Sequence, residues 1–260
     1  MHDPSRASAD PERCYHLGGT LRTELLSHLP FSATSVALGL ILAGVVCFVA
    51  PRVPEGPPSP PGEPRPHAES PEVDPGFVQL FHLFHPAHML FSAAATTAMF
   101  RRYDRRRLRT IAVGFTGAIF VCGLSDIFFP HVSLTILGSA PATWHICIVD
   151  HPSVVLPFAF AGVALGWVAA ASMQGATLFS HALHVFISTM ASIFYLVGPL
   201  GRTAWIDRIG EVFCFTLIAV LIPCCFSDIL YPLLLTHPGR EAYARAEHAH
   251  VHERGRAHES

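Results

Sequence analysis

The chain has 260 residues and a formal net charge of −2; 51% of it is apolar, only 14% is charged, and its mean hydropathy is +0.41. Residues 34–50, 110–129, 152–173 and 209–236 hold almost no ionised side chain, whereas 101–109 holds six arginines. Apolar runs of this length match the ~20 residues a helix needs to cross a hydrocarbon core, and a soluble domain would not carry so many without a polar face, so a soluble globular fold is excluded.

In chain order, residues 1–33 read as a polar lead-in with a short interfacial helix around Thr20–Leu29. A first span covers about Thr34–Ala50. Residues 51–75, dense in Pro, Glu, Gly and Ser, read as a solvated loop without a core. Further spans follow at about Gly76–Phe100, Thr110–His131, Pro152–Met173, Ala176–Pro199 and Ile209–Thr236, and a His-rich tail occupies 237–260. The proline after each SD pair, Pro130 and Pro232, is expected to end its helix. The seven cysteines form no CxxC pair and most lie in apolar runs, which excludes a disulfide framework and a Cys-based zinc site.

The arginine cluster at 101–109 lies in a short loop between the second and third spans, which the positive-inside rule assigns to the cytoplasm. Threading from there puts both termini inside, and the Pro-rich loop and the 132–151 connection outside. The expected location is a plasma membrane, of the bacterial inner-membrane type.

The chain also repeats itself. His85-Pro-Ala-His88-Met-Leu-Phe-Ser92 and His181-Ala-Leu-His184-Val-Phe-Ile-Ser188 share the pattern HxxHxxxS. Downstream, Ser125-Asp126-Ile127-Phe128-Phe129-Pro130 matches Ser227-Asp228-Ile229-Leu230-Tyr231-Pro232. Upstream, a weaker match pairs Ala43-Gly44 with Ala161-Gly162. The order is kept, at offsets of 96 and 102 for the first two matches. A unit of three spans inverts its second copy, as in many secondary transporters. The fold expected is an all-α membrane protein of six transmembrane helices in two inverted repeats, 34–131 and 132–236.

On a helix, positions i, i+3 and i+7 share a face, so each HxxHxxxS motif aligns two imidazoles and a hydroxyl. Two imidazoles one turn apart can reach one metal ion. An ionised Asp126 or Asp228 within a span costs at least ~2.5–3.5 kcal/mol and so demands a partner in the bundle. A lone intramembrane histidine is more often an interhelical hydrogen-bond partner than a ligand, but the duplication with a following SD pair favours metal or proton chemistry. Expected metal ligands are His85, His88, Asp126, His145 and His151 in an outer cluster, and His181, His184 and Asp228 in an inner one, with His28 as a further inner candidate. The two clusters would lie roughly 10–15 Å apart. His82, one turn before His85, is expected at the exposed interface, and the serines as packing or supporting groups.

Imidazole with carboxylate suits a divalent transition metal ion, Zn²⁺ first. The leading function is therefore a metal-ion transporter, with the tail histidines His248, His250, His252 and His258 collecting the ion. The alternatives are an intramembrane zinc-dependent hydrolase, with Asp126 or Asp150 as general base, and a haem b protein with axial histidines from different helices, such as His88 and His184. The expected partners are the lipid bilayer and the metal ion; a homo-oligomer is compatible with this reading, and nucleic acid is not expected.

Overall fold

A computed structural model describes residues 11–49, 75–104, 106–139, 144–169, 177–201 and 203–225. Almost all of them are helical, and no strand occurs among the described residues. Apolar sequence in hydrocarbon must satisfy its backbone within one segment, and a helix does that even where Val and Ile abound.

The helices are α1 (Pro11–Val49), α2 (Pro75–Tyr103), α3 (Arg107–Gly123), α4 (Phe129–Ile136), a single turn α5 (Cys147–Asp150), α6 (Pro152–Ala169), α7 (Thr177–Val197) and α8 (Ile209–Cys225). Four segments are long and apolar enough to cross a membrane: Leu25–Val49, Arg107–Ile136, Pro152–Ala169 and Ala182–Leu200. Their outward faces are apolar. Phe48 is 86% exposed and Val168 75%, while Ser92, Thr96, Ser125 and Asp126 are fully buried. Polar groups point inward and hydrocarbon outward, the reverse of a soluble protein.

Two sequence expectations are corrected here. The lead-in helix and first span are one helix, α1, unbroken through Pro30; the Thr34 hydroxyl donates to the Pro30 carbonyl at 2.8 Å. Pro130 does not end its helix either. α3 runs through a π turn at Leu124–Phe128 into α4, with Pro130 in the first turn beyond it. The proline ring would crowd the carbonyl four residues back, that of Asp126, and a wider turn relieves this. Pro130 has no N–H to offer Ser125, and the Ser125 carbonyl is taken instead by the Ser192 hydroxyl at 2.9 Å.

α2 and α7 lie antiparallel at the centre. Phe77 stacks on Phe194 with centroids 5.9 Å apart, and further in His88 meets His184. α2 packs also on α3 and α6, and α7 on α1 and α8. Small residues set the closest approaches. A Cβ on Gly162 would collide with the Leu90 carbonyl, one on Gly166 with the Ala94 carbonyl, and one on Gly114 with Thr97. This Gly-xxx-Gly stripe on α6 lets two backbones touch, the usual device where hydrocarbon supplies no hydrophobic drive. At the arginine end, Arg101 donates to the Trp167 carbonyl at 2.6 Å and lies 3.9 Å over the Trp167 ring, tying α2 to the end of α6.

Candidate functional site

His82, His85 and His88 recur every three residues on α2, so the row winds slowly round the helix and reaches different neighbours at each step. His82 lies at the end of the bundle where α6 begins; His85 and His88 lie deeper.

The deeper pair faces the π turn. His85 Nδ1 and His88 Nδ1 both donate to Asp126 Oδ2, at 2.8 and 2.7 Å. The other oxygen, Oδ1, accepts from the Ser125 hydroxyl at 2.6 Å and from the Ser188 hydroxyl of α7 at 3.3 Å. His88 Nε2 and His184 Nε2 face each other at 3.3 Å, their rings 4.7 Å apart. Every member is buried: His85, His88, His184, Ser125, Ser188 and Asp126 are at most 1% exposed. A buried carboxylate is tolerated only with such a full set of donors. With Nδ1 donating to Asp126, a neutral His88 accepts at Nε2 from His184, so the chain of hydrogen bonds crosses from the π turn through α2 to α7.

The second cluster sits at the mouth of the bundle. His82, His145 and His151 each bring a ring nitrogen within 4.8 Å of the other two, and the trio could hold a metal ion. Donors held at 2.0–2.1 Å by a tetrahedral ion stand about 3.3–3.4 Å apart, so the rings need close by no more than ~1.5 Å. Side-chain rotation covers that. His145 is pre-set for the role. The Asp150 carboxylate oxygen Oδ2 accepts from His145 Nδ1 at 3.0 Å and from the Ile146 N–H at 2.8 Å. His145 Nε2 is buried and has no hydrogen-bond partner among the described residues. Burial holds the His145 imidazole below its usual range; Asp150 pulls the other way, and His151 adds to the depression. The neighbouring Cys147 thiol is pushed by burial up to about 12, so it stays protonated in the metal-free protein.

An aromatic layer separates the clusters. Phe81 stacks on His85 at 5.2 Å and meets His145 at 6.2 Å and Tyr195 at 5.2 Å. Beside it, His131 lies 4.1 Å from Trp144 and its Nδ1 is 3.3 Å from the Tyr195 hydroxyl.

The residues expected in the outer cluster therefore fall into two groups. His145 and His151 gather at the mouth, while His85, His88 and Asp126 form the buried centre. His184, expected in a separate inner cluster, belongs to that same centre. The reason is that α2 and α7 are antiparallel neighbours, so corresponding positions meet. His28 lies on α1 beside Ser27, its Nδ1 3.1 Å from that hydroxyl. Asp228 and the tail histidines lie outside the described residues, as does the side chain of His181. His82, expected at the exposed interface, is half-buried in the mouth trio; its three-residue interval from His85 was the available signal. The part played by Asp150 in setting His145 had no signal beyond its position between two histidines. Compared with known proteins, the chain finds no match: no protein family, no curated protein and no solved structure is similar to it.

Proposed function

We propose that the chain is a membrane carrier of a divalent transition metal, Zn²⁺ foremost, built as two inverted three-helix repeats. The observation that carries this reading is the mouth trio His82, His145 and His151, whose ring nitrogens lie within 4.8 Å of one another at the head of a histidine row leading inward. The ion is captured there and passes to a second station made of His85, His88, Asp126 and His184. In the inverted copy, His181 and Asp228 supply the corresponding groups on the opposite side. Asp126 brings charge, and the imidazoles bring selectivity for borderline metals and a route to release by protonation.

Six spans are part of the proposal. α2 has 29 residues, about 43 Å at 1.5 Å per residue, and its His85, His88, Ser92, Thr96 and Thr97 are buried in the bundle. α8 continues the bundle beside α7 and α1. The repeat is supported by which helices pair. Exchanging α1 with α6, α2 with α7 and α3 with α8 turns the α2–α6 contact into α7–α1, and the α2–α3 contact into α7–α8. His88 and His184, at corresponding positions of the two HxxHxxxS motifs, touch each other, as residues beside a pseudo-two-fold axis do. Gly162 would strike Ala93 and Gly39 would crowd Thr189, again a pair of corresponding positions 96 apart. By that correspondence Gly39, packed against α7, is the counterpart of Gly162, packed against α2, whereas Gly44 has nothing near it.

A zinc-dependent hydrolase is the second reading, favoured by a three-histidine group open to solvent. The haem alternative is disfavoured. His88 and His184 touch at 3.3 Å, and a porphyrin would have to be seated between two fully buried rings already in contact.

Elemental analysis of the detergent-purified protein, followed by uptake into proteoliposomes, tests the reading. One or two equivalents of zinc or a related ion, with saturable uptake, is expected. Bound metal with hydrolytic turnover and no uptake would move the assignment to an enzyme. No retained metal and no uptake would end it.

A further inference from the structure

We propose that the mouth of the bundle is a four-coordinate metal site of three imidazoles, His82, His145 and His151, with one exchangeable position, and that Asp150 is the positioning residue that makes His145 a ligand. This deepens the proposed function at one of its stations, and the site could exist without transport.

Three features of the geometry carry it. First, the ligands come from two sides: His82 from the outer end of α2, and His145 and His151 from either side of the single turn α5. Their rings surround one volume, with centroids 5.1 Å apart for His82 and His145, 5.0 Å for His82 and His151, and 5.4 Å for His145 and His151. Second, His145 has one nitrogen spent and one waiting. Asp150 accepts from Nδ1, which fixes the tautomer with its lone pair on Nε2, and that buried atom has no hydrogen-bond partner among the described residues. An unpaired buried acceptor is costly in a bare protein and is satisfied by a cation. Third, Asp150 is itself held. Its Oδ2 also accepts the Ile146 N–H at 2.8 Å, so the carboxylate is anchored to the turn that presents both histidines. A carboxylate behind a ligating imidazole raises its basicity and fixes its plane, and losing such a partner typically costs 10–100-fold in metal affinity.

The open position follows from composition. The group has three nitrogens, and His151 is its exposed member. A closed structural zinc site has four protein ligands, whereas three with a solvent-facing gap allow a water or an incoming ligand to exchange. Such a site takes an ion up and gives it away, which suits Zn²⁺ or Co²⁺ over Mg²⁺ or Ca²⁺, whose oxygen-rich shells imidazoles do not supply.

Cobalt is the probe. Full-length protein carrying H248Q, H250Q, H252Q and H258Q, which silence the tail, is purified in detergent and titrated with Co²⁺. The expected result is a saturable, intense visible absorption of the four-coordinate ion, with one equivalent of it lost in H82Q and in H145Q. Asp150→Asn should keep the band shape and lower the affinity roughly 10–100-fold, and Asp150→Glu should restore part of it. A pale six-coordinate spectrum, or a band of undiminished stoichiometry in H82Q, would overturn the site. Wild-type affinity in D150N would overturn the role of Asp150, and Glu rescue separates positioning from misfolding. A normal cobalt band with no vesicle uptake would leave this site standing and reject the carrier; uptake without the band would do the reverse.

Discussion

Asp126 is the most heavily bonded side chain among the described residues of the bundle, with two imidazoles on one oxygen and two hydroxyls on the other. Its donors come from α2, from its own π turn and from α7, so a single carboxylate clamps three segments. Removing one partner of a buried charged cluster typically costs 3–5 kcal/mol, because the groups left behind have no water to turn to. Asp126→Ala should therefore lower unfolding stability by about 3–5 kcal/mol, read by denaturant titration in detergent. Asp126→Asn keeps an acceptor oxygen and the shape, so it should cost less stability while still abolishing metal uptake. Wild-type stability in the alanine variant would mean that the network is an ornament of the fold.

At the scale of elements, closeness between α2 and α6 depends on residues with no side chain. Gly162 and Gly166 place the α6 backbone against the Leu90 and Ala94 carbonyls, and Ala93 fills the space beside them. The same contact sets the lateral position of α2, and with it the positions of His82, His85 and His88. Gly162→Leu forces the pair apart. Overpacking of this kind costs about 1–3 kcal/mol, so a lower melting temperature and weakened metal binding should appear together. The π turn acts at the same scale. By widening α3 at Leu124–Phe128 it lets the helix run past Pro130 and turns Asp126 toward α2.

At the scale of the whole molecule, the mouth trio and the arginine cluster sit at opposite ends of α2, one near His82 and the other beyond Arg101. By the positive-inside rule the trio is expected on the outer side. A cysteine introduced at Ser139, in the 132–151 connection, should react with a membrane-impermeant maleimide on intact cells. One introduced at Arg107, next to the arginine loop, should react only after permeabilisation. The opposite pattern would invert the protein and turn its capture site toward the cytoplasm.

Much of this was legible before any coordinates. Uninterrupted apolar runs determine helices in a membrane, because lipid offers the backbone no other partner. Duplicated histidines followed by an SD pair marked His85, His88, His184 and Asp126 as chemically charged positions, because polar groups survive in hydrocarbon only where they have work or partners. The sequence could not say which of them meet. Whether His184 faces His88 or a distant cluster depends on α2 and α7 lying antiparallel at the centre, a contact between residues 96 apart. Whether Pro130 stops a helix or widens it depends on Ser192 of another helix taking the freed carbonyl. Helix formation is decided locally by the solvent, so it can be read along the chain. Which histidines share a site is decided by side-chain packing between helices, and only the tertiary structure brings His82 to His145 and His151.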